Sequence, residues 1–201
     1  DPRFFGSRIG EKLINFDLSK KFDLLYVSIQ LPYKHQIEVL KAVALLNETE
    51  TQFSIKLIGL NDGEYADSVK KQRTALDPTE RFIADLGEIG FEELHKHYHK
   101  ADAFIFASSC ENLPNILLEA MAAGLPIACS NKGPMPEVLG DAGVYFDPES
   151  VDSIVSAIEK IKENHELSRA LGEMARDRAL SYSWDRCAQE TFDFIDKIVK
   201  Y

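Results

Sequence analysis

Between Ala103 and Ser130 the sequence runs AFIFASSCENLPNILLEAMAAGLPIACS, and this stretch constrains the fold more than any other. It parses as strand, turn, helix, strand. Ala103 to Ala107 is a short, aromatic-rich apolar run of the kind buried in a parallel sheet, and it stops at the polar turn Ser108, Ser109, Cys110, Glu111, Asn112. A helix is expected next, with Asn112 as its N-cap and Pro114 in its first turn, where a missing N–H costs little. Gly124, Leu125 and Pro126 mark its end.

From Ile116 to Ala123 that helix is apolar on every side except for Glu119. A carboxylate in such a helix is expensive to bury unpaired, so Glu119 is expected at the mouth of a cleft or accepting hydrogen bonds. The plain alternative is that it complements the positive end of the helix dipole. Glu111 favours the first reading, because it lies in the turn at the carboxyl end of a strand, the edge where open parallel sheets bind ligands. The adjoining helix N-terminus offers free N–H groups to an anion. Two acids suit sugar hydroxyls, and the helix N-terminus suits a phosphate.

The rest of the chain repeats the pattern. Strands are expected over Asp23 to Ser28, Phe53 to Leu60, Arg81 to Asp85, Pro126 to Ser130 and Gly143 to Phe146, with helices between them. About six alternations point to an α/β, Rossmann-like doubly wound sheet of about six parallel strands. Three further helices are expected after Pro148, the last capped by Ser183 and carrying Trp184, Phe192 and Phe194, most simply as packing, or else as an apolar face that docks on a missing domain. Residues 1–21 read as a polar lead-in and 22–201 as one domain, which 201 residues with 45% hydrophobic content can bury without a staple. The sequence opens on Asp1 without a Met, as a piece of something longer would.

Charge narrows the partners. A net charge of -10 with no Lys/Arg cluster argues against nucleic acid or an anionic membrane as a direct partner. Cys110, Cys129 and Cys187 are odd in number and widely spaced, which fits a reducing compartment and neither a disulfide frame nor a zinc site. With no long apolar run and no signal peptide, a cytoplasmic location is expected, any contact with the inner membrane being peripheral and through a further domain.

Other chemistries find little support. The first strand-to-helix turn, SIQLPYKHQ, has no glycine, so a dinucleotide fingerprint is missing, as is a P-loop. That turn does offer Lys34 at the start of a helix, free to meet an anion at the same sheet edge as Glu111, although a solvated lysine reads equally well. His95, His97 and His99 lack a third metal ligand and read as surface residues, and His35 carries no signal. No serine sits in a G-x-S-x-G elbow, and Cys110 has no evident His and Asn partners.

Glu111 and Glu119 in an E-x7-E spacing, then AMAAGLPIACS and GPMPEVLGDAGVYFDP through Pro148, resemble the corresponding region of retaining glycosyltransferases of the GT-B fold, family 4. The likeness extends to YVSIQLPYKHQ, IKLIGL, DLGEIGFEELHKHYHKADAFIFAS and YSW near Trp184, covering nearly the whole chain. The resemblance implies the C-terminal half of a GT-B fold, binding a UDP- or GDP-sugar, with the N-terminal acceptor domain absent from this chain. It implies that Glu111 contacts the donor sugar near the reacting centre, Glu119 the ribose hydroxyls and Lys34 the diphosphate. Backbone groups around Gly87, Glu88 and Ile89 would meet the base, and the turn Asn112, Leu113, Pro114, Asn115 would hold sugar and phosphate. The implied transfer retains anomeric configuration and uses neither cofactor nor metal, and the isolated domain is expected to be inactive.

This chain departs from the family pattern twice. Ile29 stands where an arginine is usual, five residues before the lysine, and Asn112, Leu113, Pro114 replace a glycine-rich turn, Pro114 removing one main-chain donor. Two other readings compete: a sugar-nucleotide epimerase, which would need acid/base residues that are not evident, and a non-catalytic α/β module binding a nucleotide or a partner protein.

Overall fold

The computed structural model describes residues 1–5, 21–48 and 52–199. Six strands form one sheet: β1 (Phe22–Val27), β2 (Phe53–Ile58), β3 (Ile83–Asp85), β4 (Ala103–Phe106), β5 (Ile127–Ser130) and β6 (Val144–Phe146). Their spatial order is β3-β2-β1-β4-β5-β6, and every pairing is parallel. This is the doubly wound arrangement anticipated from the alternation of strands and helices. The order reverses between β1 and β4, so the crevice beyond their carboxyl ends is the topological switch point.

Burial follows position in the sheet. β4 and β5 are buried at every residue, as apolar runs covered on both faces should be, whereas β2 alternates, with Ser54 and Lys56 only partly covered. The eight helices described are α1 (Gln36–Leu46), α2 (Glu64–Leu76), α3 (Phe91–Lys100), α4 (Asn115–Ala122), α5 (Met135–Leu139), α6 (Val151–Glu163), α7 (His165–Ala179) and α8 (Trp184–Val199). α1 packs on α2 and α6, while α4 packs on α7, which gives the sheet its two helical layers.

Three expectations change. Pro114, not Asn112, is the N-cap of α4, and no side chain caps it. The residue before a proline avoids the helical region, so Leu113 cannot extend the helix backwards, and the Pro114 carbonyl accepts the first helical bond, from Leu118 at 3.2 Å. The end of α4 is as expected, with Gly124 at φ 68° closing it through Gly124 N to Met121 O, 2.9 Å, and Leu125 N to Ala120 O, 3.3 Å.

The second change is at the start. Pro2–Phe4 form a 3-10 turn, and Phe4, 2% exposed, meets Tyr98 edge to face at 5.4 Å, so one residue of the expected lead-in is part of the core. Residues 6–20 of that stretch lie outside the described residues. His95 and His99 are drawn into the same packing: His95 meets the Phe4 ring, and His99 Nε2 lies 2.9 Å from the Arg3 carbonyl. They are half-buried rather than surface residues.

The third concerns the last helix. Ser183 caps α8 through Arg186 N at 3.1 Å, as expected, but no residue of α8 is buried. Trp184, Phe192 and Phe194 are exposed by 72%, 69% and 63%, so they are not packing within the described chain.

Candidate functional site

The site begins with β1. Tyr26, fully buried, donates its hydroxyl to the backbone carbonyl of Lys34, which pins the turn after β1 onto the sheet. Burial pushes the Tyr26 hydroxyl's pKa well up, so it stays a donor. The turn includes a second 3-10 segment, Pro32–Lys34, and passes into α1 through His35, whose φ is 51°. Lys34 is itself buried, flanked by the rings of Tyr33 at 5.1 Å and Phe106 at 5.8 Å.

Across the switch point, the turn after β4 meets this one directly. Ser109 N donates to Tyr33 O at 2.8 Å, and His35 Nε2 lies 2.9 Å from Ser109 Oγ. Lys34 Nζ forms an ion pair with Glu111 Oε1, and both side chains are largely covered, at 6% and 17% exposure. The two residues assigned from sequence to the same sheet edge are therefore in contact. Behind Glu111, α4 opens without a side-chain cap; Asn115 N donates to Leu113 O at 3.0 Å and Leu117 N to Pro114 O at 2.9 Å, which among the described residues leaves the Ile116 N–H of the first turn to an incoming acceptor. Asn112, Leu113 and Asn115 around that opening are exposed, and Pro114 is buried.

Glu119 lies one turn further along α4 and is only partly exposed. Its Oε2 accepts from Tyr98 Oη at 3.0 Å. Burial raises the carboxyl's pKa, and the Tyr98 hydrogen bond pulls it partly back. Glu119 lines a cleft of about 740 Å³ whose walls include Phe4, Phe5, Leu113, Leu118 and Trp184. Lys34 and Glu111 are not on its walls, but Leu113 and Asn115 of the turn that follows Glu111 are, so the cleft reaches the start of α4.

The third part of the edge is the β3 turn. Gly87, at φ 63°, donates to Asp85 Oδ1 at 3.2 Å and accepts from Gly59 N at 2.8 Å, so both of its backbone groups already have partners. Beyond it, Glu88 is exposed and Ile89 is half-buried against the core. Gly59 is required where it stands, because a Cβ there would sit 2.2 Å from Ser28 O.

Sequence reasoning passed over three side chains. His35 gave no motif, yet it occupies the left-handed conformation that links the lysine turn to α1. Tyr98 reads as one apolar position of α3, and only the fold sets its hydroxyl against Glu119. Gln30, 3% exposed, donates to Asp85 Oδ2 at 3.0 Å, and a polar residue just past a buried strand was its one available signal. Cys129 is buried, with its thiol's pKa pushed up by that burial, which removes it from any nucleophilic role. Among the described residues no cluster of His, Cys, Asp or Glu could hold a metal ion, and no helix is long and apolar enough to cross a membrane.

A family model described as glycosyl transferases group 1 matches residues 12–178. The O-antigen chain mannosyltransferase B of Escherichia coli is 32% identical over 170 residues, covering 84% of this chain and 44% of that protein. The sulfoquinovosyl transferase SQD2 of Arabidopsis thaliana is 26% identical over 189 residues, covering 92% of this chain and 35% of its own length. The chain thus spans less than half of either relative. Among solved structures, Anabaena Alr3699/HepE in complex with UDP and glucose superposes with a TM-score of 0.81 at 18% identity, over 98% of this chain and 55% of that one. At that identity the likeness speaks for the fold.

Proposed function

The chain belongs to the glycosyl transferases of group 1, and from that membership we propose that it is the C-terminal, donor-binding half of a retaining, family 4 enzyme of the GT-B fold. The donor is a UDP- or GDP-sugar, and the acceptor, a glycan or lipid, is held by an N-terminal domain beyond this chain. The observation that carries the reading is the buried Lys34–Glu111 pair at the switch point, with the uncapped start of α4 beside it. A cation, a carboxylate and the Ile116 N–H at the start of α4 lie together there, a set suited to a phosphorylated sugar.

The roles follow from position. Lys34 and the α4 N-terminus neutralise the diphosphate as it leaves, so this reading assigns the diphosphate no metal and the reaction no cofactor. Glu111 faces the donor sugar near the reacting carbon. The turn Asn112 to Asn115 lies against the sugar and phosphate. Glu119 takes the ribose hydroxyls with the carboxylate oxygen that Tyr98 does not use, and the base rests against Glu88 and Ile89, with Gly87 shaping the turn. The names of the relatives support a sugar-transferring enzyme, and the UDP and glucose named with Alr3699/HepE support a nucleotide-sugar donor.

The test is a thermal-shift panel of UDP, GDP, ADP and their sugar conjugates on this chain, repeated with Glu119→Ala. The chain should be stabilised by UDP or GDP, and Glu119→Ala should weaken the bare nucleotide by about 1.5 to 3 kcal/mol, the range of a charge-assisted hydrogen bond. No response to any nucleotide would favour an interaction module instead.

A further inference from the structure

Lys34 is already neutralised before any ligand arrives. Among the described residues Glu111 is the one carboxylate within ion-pair distance of its Nζ, and the two side chains cover each other at the mouth of the turn. The Tyr33 and Phe106 rings flank the cation at 5.1 and 5.8 Å. A diphosphate approaching Lys34 must therefore displace the Glu111 carboxylate, or sit beside it at the cost of like-charge repulsion in a partly desolvated place.

We infer that Glu111 is an internal competitor of the diphosphate for Lys34, and that this competition makes the site select sugar-bearing donors over bare nucleoside diphosphates. The inference rests on the reading of Lys34 as the diphosphate cation. When a sugar is attached, its hydroxyls donate to Glu111 and replace the ammonium it gives up, so the exchange of partners is balanced. When the sugar is missing, Glu111 has no new donor and pulls back toward Lys34. The same exchange operates after transfer: with the sugar gone, the carboxylate returns to the lysine and helps expel the diphosphate.

The consequence runs against the usual effect of removing a site residue. Glu111→Gln keeps the shape of the side chain and removes its charge, so it should tighten binding of UDP, GDP and inorganic pyrophosphate, by about tenfold for a partly desolvated charge pair. UDP-glucose and GDP-mannose should gain less or lose affinity, which narrows or reverses the preference for the conjugate. Calorimetry on this chain, with Lys34→Ala and the double variant alongside, reads each part separately. Lys34→Ala should weaken every diphosphate, and the gain from Glu111→Gln should vanish in the double variant.

If Lys34→Ala weakens the diphosphates but Glu111→Gln binds them no more tightly than the parent, the competition is overturned while the phosphate site stands. If Lys34→Ala changes nothing, the assignment of the phosphate site fails, and the inference falls with it. Circular dichroism melts report whether each variant is folded. The 15N resonance of the Lys34 ammonium in the unaltered chain needs no substitution: it should move with UDP or GDP, and an unmoved signal under saturating diphosphate overturns the inference.

Discussion

At the scale of single residues, the site depends on one strained position. His35 holds φ at 51°, where a side chain ordinarily costs about 1 kcal/mol or more, and its ring spans to Ser109 at 2.9 Å. Two substitutions separate these effects. His35→Ala keeps the strain and loses the contact, so it should destabilise by about 1 to 2 kcal/mol in urea unfolding. His35→Gly also loses the contact but relieves the strain, and should cost clearly less despite glycine's greater freedom in the unfolded chain. Equal losses would show that the backbone there is not strained. Glu119 could be singled out from sequence because charge in an apolar helix is conspicuous, and Glu111 and Lys34 because each falls in the turn that follows an expected strand. His35 could not, because a histidine after a lysine says nothing about φ until the turn is built.

At the scale of elements, the parallel strands and their helices were legible because their apolar runs are bounded by Gly, Pro and polar turns. Boundaries moved by a residue or two, as with β1 at Phe22–Val27 rather than Asp23 to Ser28. What sequence did not disclose is how the weakest strand is held. β3 has only three residues at the sheet edge, and Asp77, at the end of α2, ties its approach: Oδ1 accepts from Arg81 N at 2.9 Å and Oδ2 from Phe82 N and Ile83 N at 2.7 and 2.8 Å. Burial alone would raise the Asp77 carboxyl's pKa, but those three N–H groups outweigh it and hold the carboxyl below its ordinary range. Its contribution is therefore complete above the unfolded value of about 3.9 and lost as pH falls through the lower folded value. Asp77→Ala should cost about 3 kcal/mol at neutral pH by stranding buried donors, and should flatten the acid limb of the stability profile. A neutral-pH melt unchanged by the substitution would contradict this.

At the scale of the whole molecule, the proposed binding edge is accompanied by α8, which is uncovered among the described residues. The apolar face of α8 fits two readings from sequence, packing within this chain or docking on a missing domain, because a periodic pattern establishes a face that wants a partner and not which chain supplies it; among the described residues nothing buries it. The chain spans 44% of the Escherichia coli relative and 35% of the Arabidopsis one. We therefore expect the donor to bind here and transfer to need the rest of the protein, since closure of a second domain would exclude water and orient the acceptor. The central claim, that the carboxyl edge of the sheet at the β1/β4 switch point is the nucleotide-sugar site, is tested most directly by amide hydrogen exchange of this chain with and without UDP and GDP. The account predicts slowed exchange with at least one nucleotide in residues 28–36, 85–89 and 108–117, and none at the opposite edge around Asp23, Ser54 and Asp102. Protection confined to that opposite edge or to α7 and α8, or no ligand-dependent change with either nucleotide, would contradict it.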